Sequence, residues 1–215
     1  MEQTLPVHSK LLTDAARSVL RPMGLVQKGR SRTWLDDRGW WLGVVEFQPS
    51  SWSRGSYLNV GCSWLWQVKD YLSFDQGGPA KPFTGLRDEK QFRAVADQLA
   101  RQAAEEINRY RRLFPNVDAV YSYYLCHHPT GFWPNFNAGV ACALAGQPKN
   151  AQRFFSQVTE SKEKVLDWFL AAQADAKQLS ALAPDAERFR RAVADRVRRT
   201  RELQKLPPVS RIDFG

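Results

Sequence analysis

The chain has 215 residues, of which 43% are hydrophobic and 25% charged, and it carries a formal net charge of +9. That length closes a hydrophobic core without staples, and that composition excludes a disordered chain. No apolar run approaches the roughly 18 residues of a membrane span, and Met1 to Met23 carries charge throughout, with no stretch of signal-peptide type. A cytoplasmic protein that does not contact membranes is therefore expected. Cys62, Cys126 and Cys142 are odd in number and set among apolar residues, the pattern of reduced, buried thiols in a reducing compartment.

In chain order, Leu12, Ala15, Ala16, Val19 and Leu20 recur at helical spacing, and the pattern predicts a helix over Ser9 to Arg21 that ends at Pro22 and Gly24. The period then changes to two. Strands are predicted over Leu25 to Asp36, Trp40 to Gln48 and Tyr57 to Trp66, joined by Asp37-Arg38-Gly39 and by Pro49 to Ser56 as an antiparallel meander. Six of the eight tryptophans fall between Trp34 and Trp66. Gln67 to Gly85, with Gly77, Gly78, Pro79, Pro82 and Gly85, reads as an irregular and mobile crossing segment.

Phe92, Val95, Leu99, Ala103 and Tyr110 then predict a long helix from Asp88 to Leu113, stopped by Pro115. Further helices are expected over Val117 to Cys126, Trp133 to Ala145, Lys149 to Val158, Lys162 to Leu179 and Asp185 to Leu203, before Pro207-Pro208 releases an extended tail. Strands first and helices afterwards is an α+β arrangement. The expected organisation is an α+β domain over 1–114, a helical region packed on it over 115–206, and a tail over 207–215.

The run Met23-Gly24-Leu25-Val26-Gln27-Lys28-Gly29-Arg30, with Val45-Glu46-Phe47-Gln48-Pro49-Ser50 and Tyr57-Leu58-Asn59-Val60-Gly61, resembles bacterial domain-of-unknown-function family 4304 over roughly residues 9–66. This chain departs from that pattern at Leu25 and Pro49. The resemblance implies a fold and carries no catalytic residues. Asn137-Ala138-Gly139 with Gly146, Ala151 and Phe155 resembles a single tetratricopeptide-type helical hairpin at 133–158, in which small residues let two helices approach.

Strand alternation puts Lys28, Arg30, Arg32 and Trp34 on one side of their strand, while Glu46 and Gln48, and Tyr57 and Asn59, share sides on theirs. Lys28, Arg30, Gln48, Asn59, Trp34 and Tyr57 are thus the candidate ligand-binding face, since cations and amides beside aromatic rings suit an anionic or single-stranded nucleic-acid ligand. Half of a solvated sheet would look the same. The last predicted helix holds eight basic and three acidic residues between Ala186 and Lys205. Arg191, Arg198 and Arg201 make it a candidate basic surface, with Arg191–Asp195 and Arg198–Glu202 spaced for salt bridges.

Asp37, Glu46 and Gln48 faintly suggest a metal-dependent nuclease, and Cys126-His127-His128 a zinc site. Adjacent ligands point apart, and no second ligand pair accompanies them. His8 is expected to be solvated. No phosphate loop, nucleophile elbow or His-Glu-x-x-His helix occurs, so no cofactor, metal or catalytic residue is assigned. The expectation is a binding or accessory module with a protein partner. A nucleic-acid binder using the sheet face and the basic helix is the alternative, and the nuclease a remote third.

Overall fold

The computed structural model describes residues 7–162 and 166–215. Helix α1 (Val7–Leu20) buries Leu11, Leu12, Ala15, Ala16 and Leu20 and runs into a 3₁₀ turn, Arg21–Met23. Gly24, at φ +89°, then reverses the chain. One antiparallel sheet of order β1-β2-β3-β4-β5 follows: β1 (Val26–Gln27), β2 (Thr33–Asp37), β3 (Trp41–Gln48), β4 (Gly55–Trp64) and β5 (Gln76–Gly85). Helices α2 (Glu89–Leu113), α3 (Val117–His127), α4 (Phe132–Leu144), α5 (Pro148–Thr159), α6 (Asp167–Leu182) and α7 (Ala186–Leu203) complete the α+β fold. The helix expected from Lys162 crosses residues 163–165, which lie outside the described residues. Among the described residues no helix is long and apolar enough to cross a membrane.

Two strand expectations need correction. Leu25 to Asp36 is not one strand but a hairpin, with Val26 opposite Leu35 and Gln27 opposite Trp34. Its turn is held by Lys28 N to Thr33 O at 2.9 Å and Ser31 Oγ to Lys28 O at 2.7 Å, with Gly29 at φ +57°. The segment expected to be irregular and mobile ends in a ten-residue strand, β5, which is the edge of the sheet. Pro79 and Pro82 cannot donate to a ladder, and an edge strand, paired on one side only, tolerates that.

The chain divides into two compact units, one of residues up to Ser63 with Leu72–Arg112, the other of Trp64–Tyr71 with Leu113–Gly215. Trp64, the last residue of β4, and the seven residues after it belong with the helices.

In the first unit α2 covers the sheet face that carries Trp34, Asp36 and Gly43. A Cβ on Gly43 would stand 2.8 Å from Ile107 Cδ1, so this glycine sets the approach of helix to sheet. Arg111 clamps the same face, donating from Nε and Nη2 to the two carboxylate oxygens of the buried Asp36 at 2.9 and 2.7 Å, and from Nη2 to Met23 O. His8, expected in solvent, is 8% exposed and meets the edge of Phe92.

In the second unit, side chains of α7 and α4 hold the segment Trp64–Tyr71. Arg196 Nε donates to Trp66 O at 3.0 Å, Thr200 Oγ1 to Gln67 O at 2.9 Å, and Gln204 Nε2 to Lys69 O and Tyr71 O at 3.2 and 2.9 Å. These three residues are four apart, so they line up along one face of α7 and its C-cap, Gln204. Asn137 Oδ1 accepts from Trp66 Nε1 and Gln67 Nε2, and Trp64 Nε1 donates to Tyr124 Oη. Buried polar groups are tolerated when bonded in this way. The tail is extended yet anchored, because Ile212 and Phe214 are buried and Val117 N donates to Phe214 O.

Cys62 and Cys142 are buried, but Cys126, expected in the core, is exposed on the last turn of α3. Burial raises both inner thiols, Cys142 to about 12, against the formation of thiolate. Native protein treated with a thiol-labelling reagent is expected to take up one equivalent rapidly, at Cys126, and two more only in denaturant. Peptide mapping that finds early label on Cys62 or Cys142 would contradict this.

Candidate functional site

The sheet face read from the sequence is only partly assembled. Asn59 Nδ2 donates to Gln48 Oε1 at 2.7 Å and to Glu46 Oε2 at 2.9 Å, so the β3 and β4 sets do share a face. Asn59 is buried in this cluster. Tyr57 lies beside it, its ring 5.2 Å from Phe83, and lines a shallow groove of about 450 Å³ with Gln48, Lys81 and Trp52, which is 93% exposed.

Lys28 and Arg30 are exposed but sit in the β1–β2 turn, where period-two alternation does not apply. Trp34 is fully buried on the opposite face. It pairs with Val45, whereas the neighbouring pair Thr33–Glu46 belongs to the Gln48 face. The misplacement follows from reading through the turn, since each residue of a strand changes face and a turn resets the count. Trp52 was not among the candidate face residues, although an aromatic between Ser51 and Ser53 in a hairpin loop has nothing nearby to bury it.

The basic helix is also rearranged. Arg191 and Arg198 are exposed, but they pair backwards, with Glu187 at 2.6 Å and Asp195 at 2.6 Å, and Arg199 takes Glu202. Arg201 is not on the surface. It is buried, and its Nε and Nη2 donate to Pro207 O, tying the end of α7 to the tail.

The second unit holds a cavity of about 260 Å³ absent from the sequence reading. One wall is a pair of near-parallel indoles, Trp133 of α4 and Trp168 of α6, 5.9 Å apart at 18°. Ala171 and Ala172 leave the space beside them, and Val68 and Tyr71 form the rim. Tyr71 is 58% and Trp168 50% exposed, an unusual outlay of aromatic surface to water. The base is polar: Lys69, only 6% exposed, donates to Gln67 Oε1 at 2.9 Å, and Arg196 Nη2 pairs with Asp175 at 2.5 Å. The volume lies below the 300–1,000 Å³ of sites that enclose a whole small molecule, and suits one apolar or aromatic side chain with a polar neighbour. Its signal in the sequence was divided among Trp133, Trp168 and Tyr71, over almost a hundred residues.

Neither metal reading is assembled. Asp37 pairs with Leu42 and Glu46 with Thr33, four positions along the hairpin, which at strand rise is about 13 Å. His127 Nδ1 faces Tyr123 O at 2.8 Å, and its ring stacks on Tyr123. Among the described residues no three His, Cys, Asp or Glu side chains group to hold a metal ion. Gly139 faces the ring of Phe155, and Gly146 at φ +71° turns α4 into α5, a close-packed helical hairpin. Comparison with family models, with curated proteins and with solved structures finds no match for this chain.

Proposed function

We propose that the chain is a non-enzymatic, cytoplasmic protein-interaction module that takes an apolar side chain of a partner between Trp168, Tyr71 and the alanines of α6. The observation that carries this reading is the half-exposed Trp168, stacked on Trp133, at the mouth of a small cavity with a polar base. Interface energy concentrates in such aromatic anchors set in desolvated pockets.

Trp168→Ala is expected to weaken the partner by about 2 kcal/mol or more, some thirtyfold, while costing the fold only about 1 kcal/mol. The check is affinity purification of wild type and variant, quantified by mass spectrometry, with circular dichroism to confirm folding. A protein recovered equally by both would remove the cavity from the interface.

Nucleic-acid binding is the second reading, favoured by one observation: Trp52 stands almost wholly in solvent beside Tyr57 and Lys81, as a base-stacking platform would. Nuclease-sensitive material in the eluate, lost in Trp52→Ala and kept in Trp168→Ala, would select it.

A further inference from the structure

We propose that Arg32, Ser9 and His8 form a binding site for a phosphate-class oxyanion at the start of α1. Arg32 Nη2 donates to Ser9 Oγ and stands 3.4 Å from His8 Nε2. A guanidinium has only donors, so Nε2 must be the acceptor and the imidazole proton lies on Nδ1. Among the described residues that Nδ1–H is buried without a partner, and so is Arg32 Nη1. Every unsatisfied atom of this cluster is therefore an N–H donor, on side chains already in contact, and each calls for an acceptor.

The charge around them has one sign. Arg32 is paired with no carboxylate among the described residues, and burial alone lowers its proton affinity. His8 and Ser9 belong to the first turn of α1, the positive end of the helix dipole. Burial, and then the charges of Arg32 and Arg54, hold the His8 imidazole below its usual range. From α2, the group facing His8 is the uncharged ring of Phe92. A guanidinium, a second arginine and a helix N-terminus in one place repel one another. An ion with several acceptor oxygens and more than one negative charge answers both the donors and the field. Arg32 is partly exposed, while its Nη1 and His8 Nδ1 are themselves buried, so the ion must displace what covers those two atoms. The site lies in the first unit, and its existence does not depend on the cavity of the second.

The test is calorimetric titration of the full chain near neutral pH at constant ionic strength. Inorganic phosphate and glycerol 2-phosphate are the probes, with chloride and acetate as controls. Phosphate is expected to bind with a Kd at or below about 1 mM, and Arg32→Gln to weaken it at least about tenfold. Ser9→Ala should weaken it less. A measurement that needs no variant is the ¹⁵N resonance of His8 Nδ1, which should move on addition of phosphate to the wild-type protein. Binding of glycerol 2-phosphate as well as phosphate would assign the site to an ester group, and phosphate alone to the free ion, both within the proposal. Equal phosphate binding by wild type and Arg32→Gln, acetate matching phosphate, or a His8 resonance that does not move would each overturn it.

Discussion

Arg111→Met is expected to destabilise the protein by about 3–5 kcal/mol, the usual cost of leaving one member of a buried ion pair behind. Asp36 is almost wholly enclosed, and both its carboxylate oxygens are taken up by Arg111, whose Nη2 also bonds Met23 O. The bonds to Asp36 raise the Arg111 guanidinium above its ordinary proton affinity. Removing Arg111 strands a carboxylate under α2. Removing both partners, with Asp36→Leu and Arg111→Met, should recover most of the loss, since apolar groups of similar size replace a buried pair at little cost. Urea denaturation of the two single variants and the double variant measures this. Additive losses would show that the pair contributes little beyond its separate contacts.

Gly77→Ala is expected to cost about 3 kcal/mol, from two sources of comparable size. Gly77 has φ +94°, which residues with a Cβ rarely adopt, and a Cβ there would stand 2.2 Å from Tyr110 Oη and 2.5 Å from Val60 O. The second neighbour is backbone of the pairing strand, so relief requires β5 to separate from β4. The neighbouring Gly78 has φ +147° and nothing within 4 Å of a Cβ. Gly78→Ala therefore meets the conformational cost without the collision and should lose less. For a chain of this size about 3 kcal/mol corresponds to a Tm lower by some 6–12 °C. Equal losses in the two variants would mean that the chain at Gly77 relaxes away from both Tyr110 and Val60 O, and that the collision contributes nothing.

The helices and two of the predicted strands were legible because their signals are local. Period-3.6 apolar spacing placed α1 and α2 to within a few residues, and the Asp37-Arg38-Gly39 turn joined two strands as expected. The β1–β2 hairpin was missed because Lys28 to Arg32 continues a polar alternation through a turn, and Gly29 alone marked it. Strand β5 was missed for the opposite reason. Its glycines and prolines suit irregular chain as well as an edge strand, and only pairing with β4 decides between them.

Of the candidate face, Gln48, Asn59 and Tyr57 were placed together by strand arithmetic. Trp34, Lys28 and Arg30 were assigned by carrying that arithmetic across a turn. Arg201 reads as a surface charge in any helical wheel, and its burial depends on a tail that folds back after Pro207-Pro208. The Trp133–Trp168 cavity depends on helix packing between residues far apart in sequence, which no local pattern records.

The three side chains of α7 that hold Trp64–Tyr71 all bond to main-chain oxygens, and every amino acid carries one. The hold is thus blind to what the held residues are, and Val68 and Asp70, whose side chains border the cavity, are not fixed by it. Replacements at those two positions leave the grip of Arg196, Thr200 and Gln204 in place. The wall of the cavity can therefore be rewritten over evolutionary time, with new shape or charge toward a new partner, while the scaffold beneath it is inherited unchanged.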